Sequence, residues 1–319
     1  MSRYIARRVL MLVPMLIGVS LVVFVIMRLI PGDIVSIILM GPSGESGADP
    51  KAMAELRHKL GLDRPLPLQY LTWIAGLARL DAGNSLWSDR PVRTEIVERL
   101  PLTLELALLA MLLSLVVAFI TGILSAVWQD TWVDYLCRVV SIAGLSIPNF
   151  WLGTLIILVL SLVFFWTPPL GYVDFFEDPW INLQQIFWPA LALGYNLSAV
   201  TSRMTRSAML EVLRQDYIRT ARAKGLSGRA VVLRHALKNA LLPVITLSSI
   251  QLGNLLGGTV IMETIFTLPG VGRYLVDAIF HRDYPVTQAI VVMMGTLFVC
   301  LNLVVDLLYA WLDPRIRYD

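Results

Sequence analysis

The chain has 319 residues, 57% of them hydrophobic and only 15% charged, with a mean hydropathy of +0.71. This balance excludes a soluble globular domain and indicates an all-α polytopic membrane protein. The net charge of +3 decides little, because orientation follows from where Lys and Arg fall between the spans.

Six segments reach or approach the roughly twenty apolar residues that cross a hydrocarbon core: 9–30, 102–127, 135–165, 188–202, 239–266 and 286–312. The first follows Arg3, Arg7 and Arg8 like a signal peptide, but it has no small-residue cleavage site and is expected to be retained as a span. Residues 31–101 then form a long outer segment. Within it Asp49 is placed to cap a helix whose first residue is Pro50, with Met53, Leu56 and Leu60 at helical spacing and a stop at Gly61. A second apolar-faced stretch, "LQYLTWIAGLARL", leads to the turn-rich "DAGNS". These pieces either cap the spans or form a platform for a soluble partner.

The third segment is long enough to tilt or to break at Pro148, and the fourth is short, with Asn196 and Ser198, as in a helix buried among others. Nine Lys and Arg, from Arg203 to Lys238, separate the fourth and fifth segments; the last tail adds Arg315 and Arg317. With six spans these tracts and the N-terminal arginines share one face. The 166–187 connection carries Asp174, Glu177 and Asp178 but no Lys or Arg, so both termini are expected in the cytoplasm.

Catalytic motifs are missing from the sequence. None of Lys51, Lys59, Lys224 and Lys238 follows a glycine, so no phosphate-cradling Gly-Lys-Ser/Thr exists. His58, His235 and His281 form no ligand-spaced pair, and no serine completes Gly-x-Ser-x-Gly. A non-catalytic chain that binds no metal or cofactor itself is expected. Arg28, Glu105, Glu263 and Asp306 fall towards span ends, whereas membrane depth holds neutral polar residues: Ser146, Asn149, Gln251, Asn254 and Asn302. Interhelical hydrogen bonding and a water-lined path both account for them.

The most charged stretch reads as a short helix outside the bilayer. Asp216 is placed to cap it, Tyr217 to Lys224 make about two turns, and Gly225 supplies a left-handed stop. Ser227 begins the next helix. Targeting explains the charge of Arg219, Arg222 and Lys224 but not the capping or the small Ala221 and Ala223, which suit a helix seated in a groove of another protein.

"ARAKG" followed by "HALKNALLPV" resembles the cytoplasmic loop of the permease subunits of binding-protein-dependent ABC importers, in the dipeptide, oligopeptide and nickel permease family. The resemblance runs the whole chain: "RRVLMLVPMLIGVSLVVFVIMRLIPGD", "GLDRPLPLQYLTWI", "DAGNS", "LPLTLELALLA" and "NLVVDLLYAWLDPRIRY" belong to it. Against the general importer loop, Arg219 and Thr220 stand where Glu and Ala are usual, and Leu242-Pro243 comes about five residues late.

The resemblance implies a type I ABC importer permease fold as one domain over 1–319: span 9–30, periplasmic segment 31–101, and a five-span core 102–312 with a cytoplasmic coupling loop at 203–238. It assigns ATPase coupling to Asp216, Tyr217, Arg219, Thr220, Ala221, Arg222, Ala223, Lys224 and Gly225. A path through Ser146, Asn149, Gln251 and Asn254 fits it. The implied partners are a second, homologous permease, two ABC ATPase subunits that hold ATP and Mg, and a periplasmic or lipid-anchored solute-binding protein; no nucleic acid is involved. The implied setting is the bacterial inner membrane and the implied solute a peptide, with nickel chelates or glutathione as alternatives. Two rivals stand outside this family: an ion-coupled secondary transporter, which midplane carboxylates would mark, and a structural membrane scaffold that recruits cytoplasmic partners, which would not need the polar faces of the third and fifth spans.

Overall fold

A computed structural model describes residues 2–29, 35, 36, 39, 50–169 and 171–312; side chains of residues 2–9, 256 and 305–312 are not among those described. Asp49, Arg315 and Arg317 lie outside the described residues. The described α-helices of eight residues or more are α1 (Ser2–Leu29), α2 (Pro50–Lys59), α3 (Leu66–Ala78), α4 (Val92–Val127), α5 (Trp132–Ser146), α6 (Asn149–Phe164), α7 (Pro179–Leu213), α8 (Asp216–Ala223), α9 (Leu237–Ile265), α10 (Val271–Phe280) and α11 (Tyr284–Leu312).

Among the described residues, four helical stretches are long and apolar enough to cross a membrane: Leu10–Leu29, Val92–Val127, Gly228–Leu255 and Tyr284–Val304. Of the two expectations for the third span, tilting or breaking at Pro148, the break is what the helices show. Pro148 cannot continue the ladder of α5, so α5 and α6 meet at 104° and count as a fifth span only as a bent pair. The fourth expected segment, 188–202, lies inside α7, which is 35 residues long but too polar to meet the same criterion. Its polar residues Asn182, Gln185, Ser198, Thr201, Ser202 and Thr205 are buried, which places them among neighbouring helices.

The chain divides into two compact units. The first comprises residues 1–100 and 274–300. Here Val23 and Met27 of α1 pack with Tyr284 and Val292 of α11, and Met53 and Leu56 of α2, with Leu60 just after it, lie against that cluster as their spacing requires. Phe24, Tyr70 and Trp73 add ring contacts at centroid distances of 5.3–6.1 Å. The "DAGNS" turn is fastened to the α10–α11 corner. Ser85 Oγ donates to Asp283 Oδ2 at 2.6 Å, the Leu86 amide donates to the same oxygen at 3.1 Å, and Trp87 Nε1 donates to the His281 carbonyl at 2.8 Å.

The second unit, residues 101–273 with 301–317, is built around α7. Leu102, Leu106 and Ala110 of α4 pack with Ala190, Leu193, Leu255, Met262 and Phe266 in its core. Gly194 lets α7 approach α4 closely: a Cβ there would lie 2.5 Å from the Ala110 carbonyl oxygen, so no larger residue fits without separating the two helices.

Candidate functional site

Helix α8 is amphipathic, and its apolar stripe decides what it touches. Ile218 is fully buried and Ala221 is 7% exposed, one turn apart. Both enter a cluster formed by Ala126 of α4, Ala208 and Met209 of α7, and Val231, Ala236 and Ala240 beyond. Ala221 is therefore spent on packing within the chain, and the expectation that it faces another protein is corrected. The outward face carries Asp216, Tyr217, Arg219, Thr220, Arg222, Ala223 and Lys224, leaving Ala223 as its small residue.

The ends of α8 follow from local chemistry. The capping position belongs to Gln215, which makes no side-chain cap bond; Asp216 is the first helical residue, a correction of one position. There an acidic group meets the positive end of the helix dipole. Asp216 also lies 3.4 Å from Arg219, but both are largely exposed, so the pair contributes little. At the other end the Gly225 amide donates to the Arg222 carbonyl at 2.9 Å and the Leu226 amide to the Ala221 carbonyl at 3.3 Å, the reciprocal pair of a Schellman stop. Gly225 takes φ +80° with open space where a Cβ would point, so backbone conformation alone calls for glycine.

The chain then restarts. Ser227 Oγ accepts from the Ala230 amide at 3.4 Å, and a π-helical segment, Val231–Ala236, runs into α9. Asn239 Nδ2 donates to Tyr217 Oη at 2.8 Å and ties α9 to α8. The expected 203–238 loop is thus largely helical, with Arg203 and Arg206 inside α7.

Arg206 has a role that its position in a basic tract concealed. Its Nη2 lies 2.8 Å from Asp134 Oδ2 and its Nε donates to Ser125 Oγ at 2.8 Å, while Ser125 donates to Asp134, whose side chain is fully buried. The ion pair joins α5 to α7, and the hydrogen bonds of Ser125 tie α4 to both. Arg206, Ser125, Ser141 and Ser202 also line a cavity of about 930 Å³ with Arg138 and Arg214.

The four residues expected at the path do not form one cluster. Gln251 is 7% exposed and accepts from Thr201 Oγ1 at 2.8 Å, so it serves the contact of α9 with α7. Asn254, one turn on, is exposed. Ser146 is exposed at the end of α5 and donates to the Ile142 carbonyl at 3.0 Å. Asn149 begins α6 and has a buried Oδ1 with no partner.

A further carboxylate, expected only as an acid towards a span end, is buried and fully engaged. Glu263 is fully buried, accepting from Thr103 Oγ1 at 2.8 Å and the Arg273 amide at 2.9 Å. Thr103 Oγ1 in turn accepts from the Val271 amide at 3.0 Å. Gly270 and Gly272 leave the space that the carboxylate occupies. The signal available was "TLPGVG", a turn sequence four residues after an acid in an apolar helix.

Two family profiles cover most of this chain. Residues 118–318 match the family described as binding-protein-dependent transport system inner membrane component, and residues 1–107 match the N-terminal part described for the same kind of membrane component. The chain belongs to this family. As an inner membrane component it is 42% identical, over the whole of both chains, to the dipeptide transport system permease protein DppB of Alkalihalophilus pseudofirmus. It is 43% identical, again over both whole chains, to the di/tripeptide permease protein DppB of Pseudomonas aeruginosa. The glutathione permease protein GsiC of Salmonella paratyphi A is 42% identical over the same full extent. A chain from an inward-facing structure of the MetNI methionine ABC transporter matches with a TM-score of 0.57 at 17% identity, covering 68% of this chain and 96% of that one. That likeness shows the fold, a type I ABC importer permease.

Proposed function

We propose that this chain is the permease subunit of an ATP-driven importer of short peptides. It pairs with a second, homologous permease, receives solute from a binding protein outside, and takes its power stroke from two ATPase subunits inside, which hold the ATP and Mg. The observation that carries the solute class is full-length identity above 40% to relatives named for dipeptide and di/tripeptide transport. Helix α8 supports the mechanical part. Its inner face is embedded among the ends of α4, α7 and α9, so a push on the outer face, from Tyr217 to Lys224, reaches three long helices at once. Asn254, Ser146 and Asn149 line the path in this reading, while Gln251 braces α9 against α7.

The test is uptake by cells carrying the complete transporter. Labelled dipeptide should accumulate, stop when the ATPase subunits are inactivated, and persist when an uncoupler collapses the ion gradients. Uptake that follows the ion gradient would overturn the proposal. Glutathione is the second solute to assay, because a relative named for it is equally similar.

The same reading places both termini and α8 in the cytoplasm and α2 and α3 outside. A cysteine at His58 should react with an impermeant maleimide in intact cells, and one at Ser227 only after lysis. The reverse pattern would invert the topology.

A further inference from the structure

A cavity of about 410 Å³ lies in the first unit, walled by the outer end of α1, by α2 and α3, and by the start of α11. Three of its lining side chains carry buried hydrogen-bond donors without an acceptor: Arg28 Nη1, Trp73 Nε1 and Gln288 Nε2. Gln288 is only 3% exposed.

Arg28 is held so that one edge stays free. Its Nε and Nη2 both donate to Gln69 Oε1, at 3.3 and 3.0 Å. Its guanidinium carbon sits 4.0 Å from the Phe24 ring centroid and 5.2 Å from that of Tyr284. Gln69 is itself fixed, donating through Nε2 to the Leu62 and Arg64 carbonyls at 3.2 and 2.8 Å. Two acceptors in the wall are committed elsewhere: Gln69 Oε1 to Arg28, and Asp81 Oδ1, at the exposed rim, to the Gly83 amide at 2.9 Å. Lys59 and Arg64 add positive charge.

Buried polar atoms are ordinarily satisfied, and a group of orphans of one sign in one cavity calls for a ligand of the other. A carboxylate fits, since it has about four acceptor sites and pairs well with a guanidinium edge. We propose that this cavity binds the free carboxylate of a small solute and that, given the peptide-importing function proposed above, the solute is a short peptide held by its C-terminus. The cavity volume lies in the range of small-molecule sites.

The experiment uses the full-length chain, labelled with ¹⁵N at the tryptophan indoles, in nanodiscs of phosphatidylcholine. The Trp73 indole signal is identified by its loss in Trp73→Phe. Acetate and the dipeptide Gly-Leu should each displace it saturably, and the C-terminal amide of Gly-Leu should not. Arg28→Gln and Gln288→Leu should each raise the dissociation constant at least about tenfold, as expected for a lost bond to a charged group; either variant suffices if the other does not fold. Inorganic phosphate acting as well as acetate supports the anion site and makes a lipid headgroup its ligand in place of the peptide. Acetate binding without tighter binding of the dipeptide keeps the carboxylate site and removes the peptide from it. Equal displacement by acid and amide, or none by any probe, means that water fills the cavity and overturns the proposal.

Discussion

Replacing Asp134 by alanine is expected to destabilise the second unit by about 3–5 kcal/mol, the usual cost of leaving one member of a buried pair unpaired. Asp134 is fully buried while Arg206 retains 24% exposure, so its side chain can partly recover solvent, which puts the expected loss at the lower end of that range. The effect reaches beyond one contact because Ser125, Asp134 and Arg206 sit on three different helices. A shortened half-life of the purified chain at elevated temperature, together with lower abundance in membranes, is the measurement. The paired replacement Asp134→Leu with Arg206→Met should recover most of the loss, since the desolvation cost of both charges goes with them. A single Asp134→Ala variant as durable as the parent would show that the pair contributes no net stability.

Helix α8 gives the second large effect, and its two alanines should behave differently. Ala223→Trp adds bulk to the outer face and should leave the chain folded and inserted while abolishing uptake and solute-stimulated ATP hydrolysis. Ala221→Trp pushes the same bulk into the cluster around Met209 and Ala236, and should destabilise the chain itself by about 1–3 kcal/mol through overpacking. Ile218→Ala removes a fully buried side chain and should cost about 2–5 kcal/mol. Gly225→Val must hold a β-branched residue at φ +80°, a strain of roughly 1 kcal/mol or more, and should loosen the helix stop and weaken coupling. Thermal unfolding and uptake, measured side by side on these variants, separate seating within the chain from docking onto the ATPases. Normal transport by Ala223→Trp would make the loop a topological anchor only.

Features set by neighbours along the chain were legible in the sequence. A continuous apolar run fixes a span because helix length and transfer energy are local quantities. Pro148 breaks its helix and Gly225 ends another because each limits its own backbone. Met53, Leu56 and Leu60 marked the packed side of α2 and the turn after it because residues three and four apart share a helix face. Partners far apart in sequence were decided only by the packing of helices. Arg206 meets Asp134 across 72 positions and Thr103 meets Glu263 across 160; composition displayed the first as one more targeting charge and the second as a span-end acid. The stripe of Ile218 and Ala221 was visible as a stripe, but spacing identifies which residues share a face and not what that face touches. Tertiary packing turned it onto the ends of α4, α7 and α9, and in the first unit it closed Arg28 of α1 between the Phe24 ring of its own helix and Tyr284, leaving one donor edge free, a geometry fixed by contacts with two other segments of the chain, at Gln69 and Tyr284.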